Sequence, residues 1–177
     1  LPGWDTMLHT INGFLCAAIG FSLVDLLNRT SKRIQLSPIY LSVVAFCFSM
    51  TIGVCWEFVE FFFDSMFYLD MQKDFVIQKI GSIYFDPTHS QVPVQVSGIT
   101  RTILETASGK TYVVDGGYLD IGLIDTMKDL FVNFIGAIVF SVIGYLDAKF
   151  HNLRAEKIAG GLRLKRDDSA KEATEET

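Results

Sequence analysis

Three runs of the chain carry almost no charge, and they decide what it can fold into. Met7 to Leu27 holds one formal charge, Asp25, near its far end, while Ile39 to Trp56 and Leu130 to Leu146 hold none. Asn133 is the one strongly polar side chain of the third run. Each run is about 17 to 21 residues, and at about 1.5 Å per helical residue that approaches the roughly 30 Å of a bilayer core. Each therefore reads as a transmembrane helix. The first lacks the basic leading segment and small-residue cleavage site of a secretory signal. Its start at Leu-Pro-Gly-Trp-Asp, without an initiator Met, leads us to expect a fragment with further helices upstream. Half of the 177 residues are apolar, in keeping with a single domain of ordinary size.

Charge is distributed asymmetrically, although the net charge of −5 is itself uninformative. The loop from Asn28 to Ser37 carries Arg29, Lys32 and Arg33 and no acid, and after the third run come Lys149, Arg154, Lys157, Arg163, Lys165 and Arg166. With three spans these segments share one side, and the positive-inside rule makes it cytoplasmic. The segment from Asp64 to Asp120 then faces outward. Trp4 and Trp56 fall at the outer ends of their helices, where interfacial anchors belong. Cys16, Cys47 and Cys55 lie inside apolar runs at no zinc-like spacing, so we read them as buried packing residues.

The expected fold is an all-α membrane protein, a bundle of at least three transmembrane helices at about 5–27, 38–67 and 119–150. An extracytoplasmic loop at about 68–118 interrupts it. Strand signals occur in VPVQV, RTILET and TYVVD, and the last two flank Ala-Ser-Gly-Lys, which reads as a small β-hairpin. The tail at 151–177 is basic, then acidic, and ends in RDDSAKEATEET, a composition expected to be disordered.

Polar residues recur at helical spacing on all three spans. The first offers Asp5 and His9, the second Glu57, Glu60 and Asp64 in WEFVEFFFD, and the third Asp125, Asp129 and Asn133 in DTMKDLFVN. Offsets of three, four, seven and eight keep each set on one helix face. About 17 or 18 apolar positions separate His9, Glu57 and Asp129 from the inner ends of their helices, so the helix rise places all three about 25 Å above the inner surface. The same faces continue with small residues: Gly13, Ala17 and Gly20; Ser42, Ala45, Ser49 and Gly53; Ala137, Ser141 and Gly144. Such spacing marks the packed faces of membrane helices.

Crowded carboxylates need protons, a cation or basic partners. The nearby bases are His9 and Lys128. A divalent cation is the direct way to hold Asp5, His9, Glu57, Glu60, Asp64, Asp125 and Asp129 together. Oxygen ligands with one imidazole suit Mg, Mn, Fe or Zn alike. A metal there lowers the pKa of bound water and permits hydrolytic or phosphoryl-transfer chemistry, with Asp5, His9, Glu57, Glu60, Asp125 and Asp129 as ligands or acid/base groups. Taken singly, Asp5, Asp25 and Asp64 fit equally well as helix caps or interfacial charges, and a lone His as a satisfied core group.

WDTMLHTINGF, WEFVEFFFD and DTMKDLFVNFIGA, in this order on successive helices, resemble the uncharacterised bacterial inner-membrane proteins of the YjdF type over residues 4 to about 146. The resemblance marks Asp5, His9, Gly13, Glu57, Glu60, Asp125 and Asp129, and it implies additional upstream helices. The long hairpin insertion departs from it. A weaker similarity is to VanZ-like membrane proteins, which also place acids and an Asn-containing, Gly-rich helix in a small bundle. Neither implies an established reaction.

The leading expectation is a multi-pass protein of the bacterial plasma membrane with a cytoplasmic C-terminus, a metal-dependent enzyme acting on a lipid-linked or envelope substrate. A proton- or cation-coupled transporter is the first alternative, but below Gly53 and Asn133 the second and third helices offer only Ser. A non-catalytic interaction protein is the other. The expected partner is the lipid bilayer and not a nucleic acid, with anionic lipid at the basic juxtamembrane segment.

Overall fold

The computed structural model describes residues 3–30 and 36–175, with side chains as far as His151. Helix α1 spans Trp4–Thr30, α2 Pro38–Phe67 and α3 Leu123–Glu175. Between α2 and α3 lie β1 (Phe75–Ile77), β2 (Lys79–Ser82), a single 3-10 turn (Ile83–Phe85), β3 (Val94–Ser97), β4 (Arg101–Glu105), β5 (Thr111–Asp115) and β6 (Tyr118–Asp120). The chain divides into two compact units, Leu1–Gly53 with Val132–Thr177, and Val54–Phe131.

In the first unit, side chains are sorted opposite to the pattern of a water-soluble core. His9, Gly13, Ala17 and Gly20 are buried on α1. Leu41, Ser42, Ala45 and Ser49 are buried on α2, and Asn133, Ala137 and Ser141 on α3. Large apolar residues such as Leu15, Ile19, Leu23, Val43, Val139 and Val142 stay exposed. Lipid solvates those as well as protein would, so the faces that gain from contact are the ones that let backbones approach. A Cβ at Gly13 would strike the Asn133 carbonyl oxygen, and one at Gly53 would come within 2.5 Å of the Asn133 amide nitrogen. That amide donates to the Met50 Sδ at 3.6 Å, and Ser49 Oγ donates to the Gly13 carbonyl at 2.7 Å. Edge-to-face pairs Phe14–Phe140 and Phe46–Phe134, with centroids 5.1 and 5.5 Å apart, fill the flanks.

The second unit holds three two-stranded antiparallel sheets, β1–β6, β2–β3 and β4–β5. The expected hairpin over RTILET and TYVVD is present as β4–β5, from Arg101↔Asp115 to Glu105↔Thr111. Its turn is closed by Thr106 N–H donating to the Lys110 carbonyl at 2.9 Å, with Gly109 at φ +78°. The β2–β3 connection is organised by Asp86. Its carboxylate accepts from Thr88 N–H at 2.9 Å and Thr88 Oγ1 at 2.6 Å, and from Ser90 N–H at 2.7 Å and Ser90 Oγ at 2.8 Å.

Several expectations are corrected. Six short strands make the insertion more than one hairpin, so the chain is not all-α. VPVQV gave the signal of β3, but its partner β2 and the pair β1 and β6 are segments of three or four residues, too short to show alternation. Helix α3 begins at Leu123 and not at 119, because Tyr118–Asp120 pairs with Phe75–Ile77 and Gly122 takes φ +78°. Cys47 and Cys55 are exposed, since the buried helix faces are given to smaller and polar residues; all three thiols are free. The tail expected to be disordered continues α3 to Glu175. Ala, Glu, Lys, Arg and Leu are good helix formers, and extending a helix needs no new nucleus. Side chains from Arg154 to Arg166, and Lys32 and Arg33, lie outside those described.

Two outcomes follow. Gly13→Val should destabilise the protein by about 1 to 3 kcal/mol, the usual scale of overpacking, against less than about 0.5 kcal/mol for exposed Leu15→Val. Thermal unfolding in detergent compares them, and equal shifts would contradict the close packing at Asn133. The hydroxyl and amide donors of Thr88 hold the Asp86 carboxyl well below the usual carboxylate range, with those of Ser90 assisting. A depressed folded-state pKa stabilises at neutral pH, and that contribution is lost as pH falls below the ordinary Asp value of about 3.9 toward the folded one. Amide protection at Thr88 and Ser90 should therefore persist at pH 5, decline only in stronger acid, and be absent at pH 5 in Asp86→Ala.

Candidate functional site

In the first unit, α1 sets Asp5 and His9 one turn apart, His9 buried and Asp5 half-buried. His9 Nε2 and Asp5 Oδ1 are 3.7 Å apart, an ion pair only when the imidazole is protonated and too long for a hydrogen bond. Gly13 follows on the same face, against Asn133.

The second unit contains the remaining candidates. Glu57, Glu60, Asp125 and Asp129 are all buried, with Asp125 and Asp129 at 2% and 1% exposure. Glu57 lies within electrostatic reach of Glu60, Asp129 and Asp125. The end of α2 and the start of α3 thus bring four carboxyl groups together, by placing acids at three- and four-residue spacing on the faces they turn to one another. Glu60 Oε1 accepts from the Trp56 indole N–H at 2.7 Å. Trp56, read from sequence as an interfacial anchor, therefore also orients an acid; the i, i+4 spacing of Trp56 and Glu60 was the available signal.

Two acids have a second role. Asp64 accepts the backbone N–H of Met71 on Oδ1 at 2.7 Å and of Gln72 on Oδ2 at 2.8 Å, so it caps the turn that leaves α2. Asp125 accepts the Lys73 N–H on Oδ2 at 2.8 Å, and Lys128 Nζ stands 3.9 Å from its Oδ1. Gln72 Nε2 donates to Thr126 Oγ1 at 2.6 Å. Asp120 Oδ2 accepts the Ile124 N–H at 2.8 Å at the start of α3. Residues 71–73 are thereby tied to both helices, a link the sequence did not disclose because its donors are backbone amides. Outside the spans, the Asp74 carboxyl is pushed above its ordinary value by partial desolvation, and then by the charges of Asp70, Asp120 and Asp64.

Three helices are long and apolar enough to cross a bilayer, Trp4–Thr30, Pro38–Phe67 and Leu123–His151, of 27, 30 and 29 residues. With their polar side chains buried and their large apolar ones exposed, they define a polytopic membrane protein. The chain belongs to the family described as "Predicted membrane protein (DUF2238)", which it matches over residues 2–149. No curated protein and no solved structure matches it.

Asp64→Ala removes the acceptor of two amides. Stability should fall by about 1 to 3 kcal/mol, the scale for leaving donors unsatisfied, with hydrogen exchange accelerated at Met71 and Gln72. Unchanged exchange at those two amides would mean that Asp64 does not hold the turn.

Proposed function

We propose that this membrane protein binds a divalent cation at the carboxylates of α2 and α3 and uses it as an enzyme on a lipid-linked or envelope substrate. The observation that carries the reading is the burial of Glu57, Glu60, Asp125 and Asp129 within one unit. Lys128, half-exposed, holds its ammonium 3.9 Å from Asp125, a distance at which it offsets little of that acid's charge. Intramembrane acids are costly and are kept where they pair, relay protons or bind ions.

In this reading Glu57, Glu60 and Asp129 are the primary ligands. Asp125 is a ligand through Oδ1 while its Oδ2 holds Lys73, and Asp64 supports the turn behind them. Asp5 and His9 keep the role their depth in the sequence gives them, additional ligand or acid/base group. The cation, when bound, would activate water for hydrolysis or phosphoryl transfer. The YjdF-type resemblance fits the same residue set. By the distribution of Lys and Arg the loop at 68–118 is extracytoplasmic, the C-terminus is cytoplasmic, and the basic stretch after α3 meets anionic lipid.

Elemental analysis of detergent-purified protein tests the site. Wild type grown with ample metal should carry about one divalent cation per chain. Asp129→Asn and Glu57→Gln should lose it, their affinity falling at least about tenfold as for altered metal surroundings generally, while still eluting as folded monodisperse protein. A metal-free wild type would overturn the reading.

A further inference from the structure

Four acids of the second unit, Glu57, Asp64, Asp70 and Asp74, line two cavities that share a wall. One, of about 380 Å³, is bounded by Val54, Phe58, Phe61, Leu123 and Leu130, with Glu57, Gln72 and Thr126 as its polar side chains. The other, of about 430 Å³, is bounded by Asp64, Asp70, Asp74, Ser65 and Tyr68. Phe61, Gln72 and Ile121 belong to both. No Lys, Arg or His lines either one among the described residues.

Their chemistry differs sharply. The first is walled by aliphatic and aromatic side chains, and Phe58, Phe61 and Leu123 are more than 60% exposed around it. It suits a hydrocarbon chain, which loses no hydrogen bonds there. The second offers three carboxylates. The Asp64 oxygens face backbone amides, Asp70 is exposed, and Asp74 feels the negative charge of both. Lys73, next in sequence to Asp74, directs its ammonium to the carbonyl oxygens of Asp70 and Met71. A cation is favoured at such a mouth and a phosphate is repelled.

We propose that the two cavities together bind a single-chain cationic amphiphile, its chain in the apolar cavity beside Glu57 and its ammonium group among Asp64, Asp70 and Asp74. The assignment deepens the enzyme reading by naming its substrate class, but the binding itself needs only the second unit. Phe61, Gln72 and Ile121, common to both cavities, then stand where the chain meets the headgroup.

Photo-crosslinking in neutral maltoside micelles tests this on the full chain. Two probes carry a diazirine in a twelve-carbon chain, one ending in trimethylammonium and the other in phosphate, each at low mole fraction. The ammonium probe should label peptides covering Val54–Phe61 and Ile121–Leu130, and the phosphate probe should not exceed background. The double substitution Asp70→Asn with Asp74→Asn leaves in place Asp64, which holds the turn after α2, and the buried acids. It should reduce ammonium labelling about fivefold, the scale of losing two partly screened charge contacts. Phe58→Ala, at an exposed apolar position, should reduce labelling without altering the preference for the ammonium head. Equal labelling by both heads, or labelling indifferent to Asp70 and Asp74, would overturn the assignment. Running the protein metal-stripped and metal-loaded separates the two readings. If no metal binds but ammonium labelling persists, the enzyme reading fails and this one stands. If the phosphate probe labels only the metal-loaded protein, a metal-bridged phosphate replaces the ammonium and this one fails.

Discussion

Asn133 lies against Gly13 and Gly53, close enough that a methyl group at either position would collide with it. Much of the first unit depends on this contact. In lipid no apolar driving force gathers helices, because their outer residues are as well solvated by acyl chains as by each other. What remains is surface-to-surface packing and internal hydrogen bonding. Gly13 supplies both, since its missing side chain admits Asn133 and its carbonyl accepts the Ser49 hydroxyl. Large residues are consequently turned outward, and the buried apolar positions are Ala17, Ala45 and Ala137, with Leu41 the exception.

The second unit solves a different problem, that of ending two helices beside a polar insertion. A helix terminus leaves amides or carbonyls without intrahelical partners. Asp120 accepts an amide at the start of α3, and Asp64 closes the turn after α2. Asp125 then takes the next amide, that of Lys73, from within α3. Strands β1 and β6 join the two ends of the insertion. The acids thereby divide: Asp64, Asp120 and Asp125 fasten the loop, and Glu57 and Asp129 lie further along their helices.

How much of this the sequence disclosed depends on the length of the signal. The α1 and α2 limits were legible to within a few residues, because long uncharged runs admit one solution in hydrocarbon. The buried faces were legible too, since Gly, Ala and Ser recur with Asp, Glu and His at helical spacing. The strands of β1, β2 and β6 were not, being too short for periodicity, and β6 absorbed the residues assigned to the start of α3. Cys47 and Cys55 misled because apolar was equated with buried, a rule that reverses in lipid. Anchoring of residues 71–73 could not be read, as the amides of Met71, Gln72 and Lys73 carry no sequence mark.

That division of labour bears on what the deeper acids are for. Capping and loop anchoring account for Asp64, Asp120 and one oxygen of Asp125, and these are roles offered only near helix ends. Glu57 lies about ten residues before the end of α2, and Asp129 about two turns into α3. Glu60, Asp129 and Asp125 all lie within electrostatic reach of Glu57. Leu or Ala in their place would pack a lipid-immersed helix pair at far lower desolvation cost. Under the proposed cation site, these deeper carboxylates are the groups that gather positive charge, a role distinct from the capping done by Asp64 and Asp120.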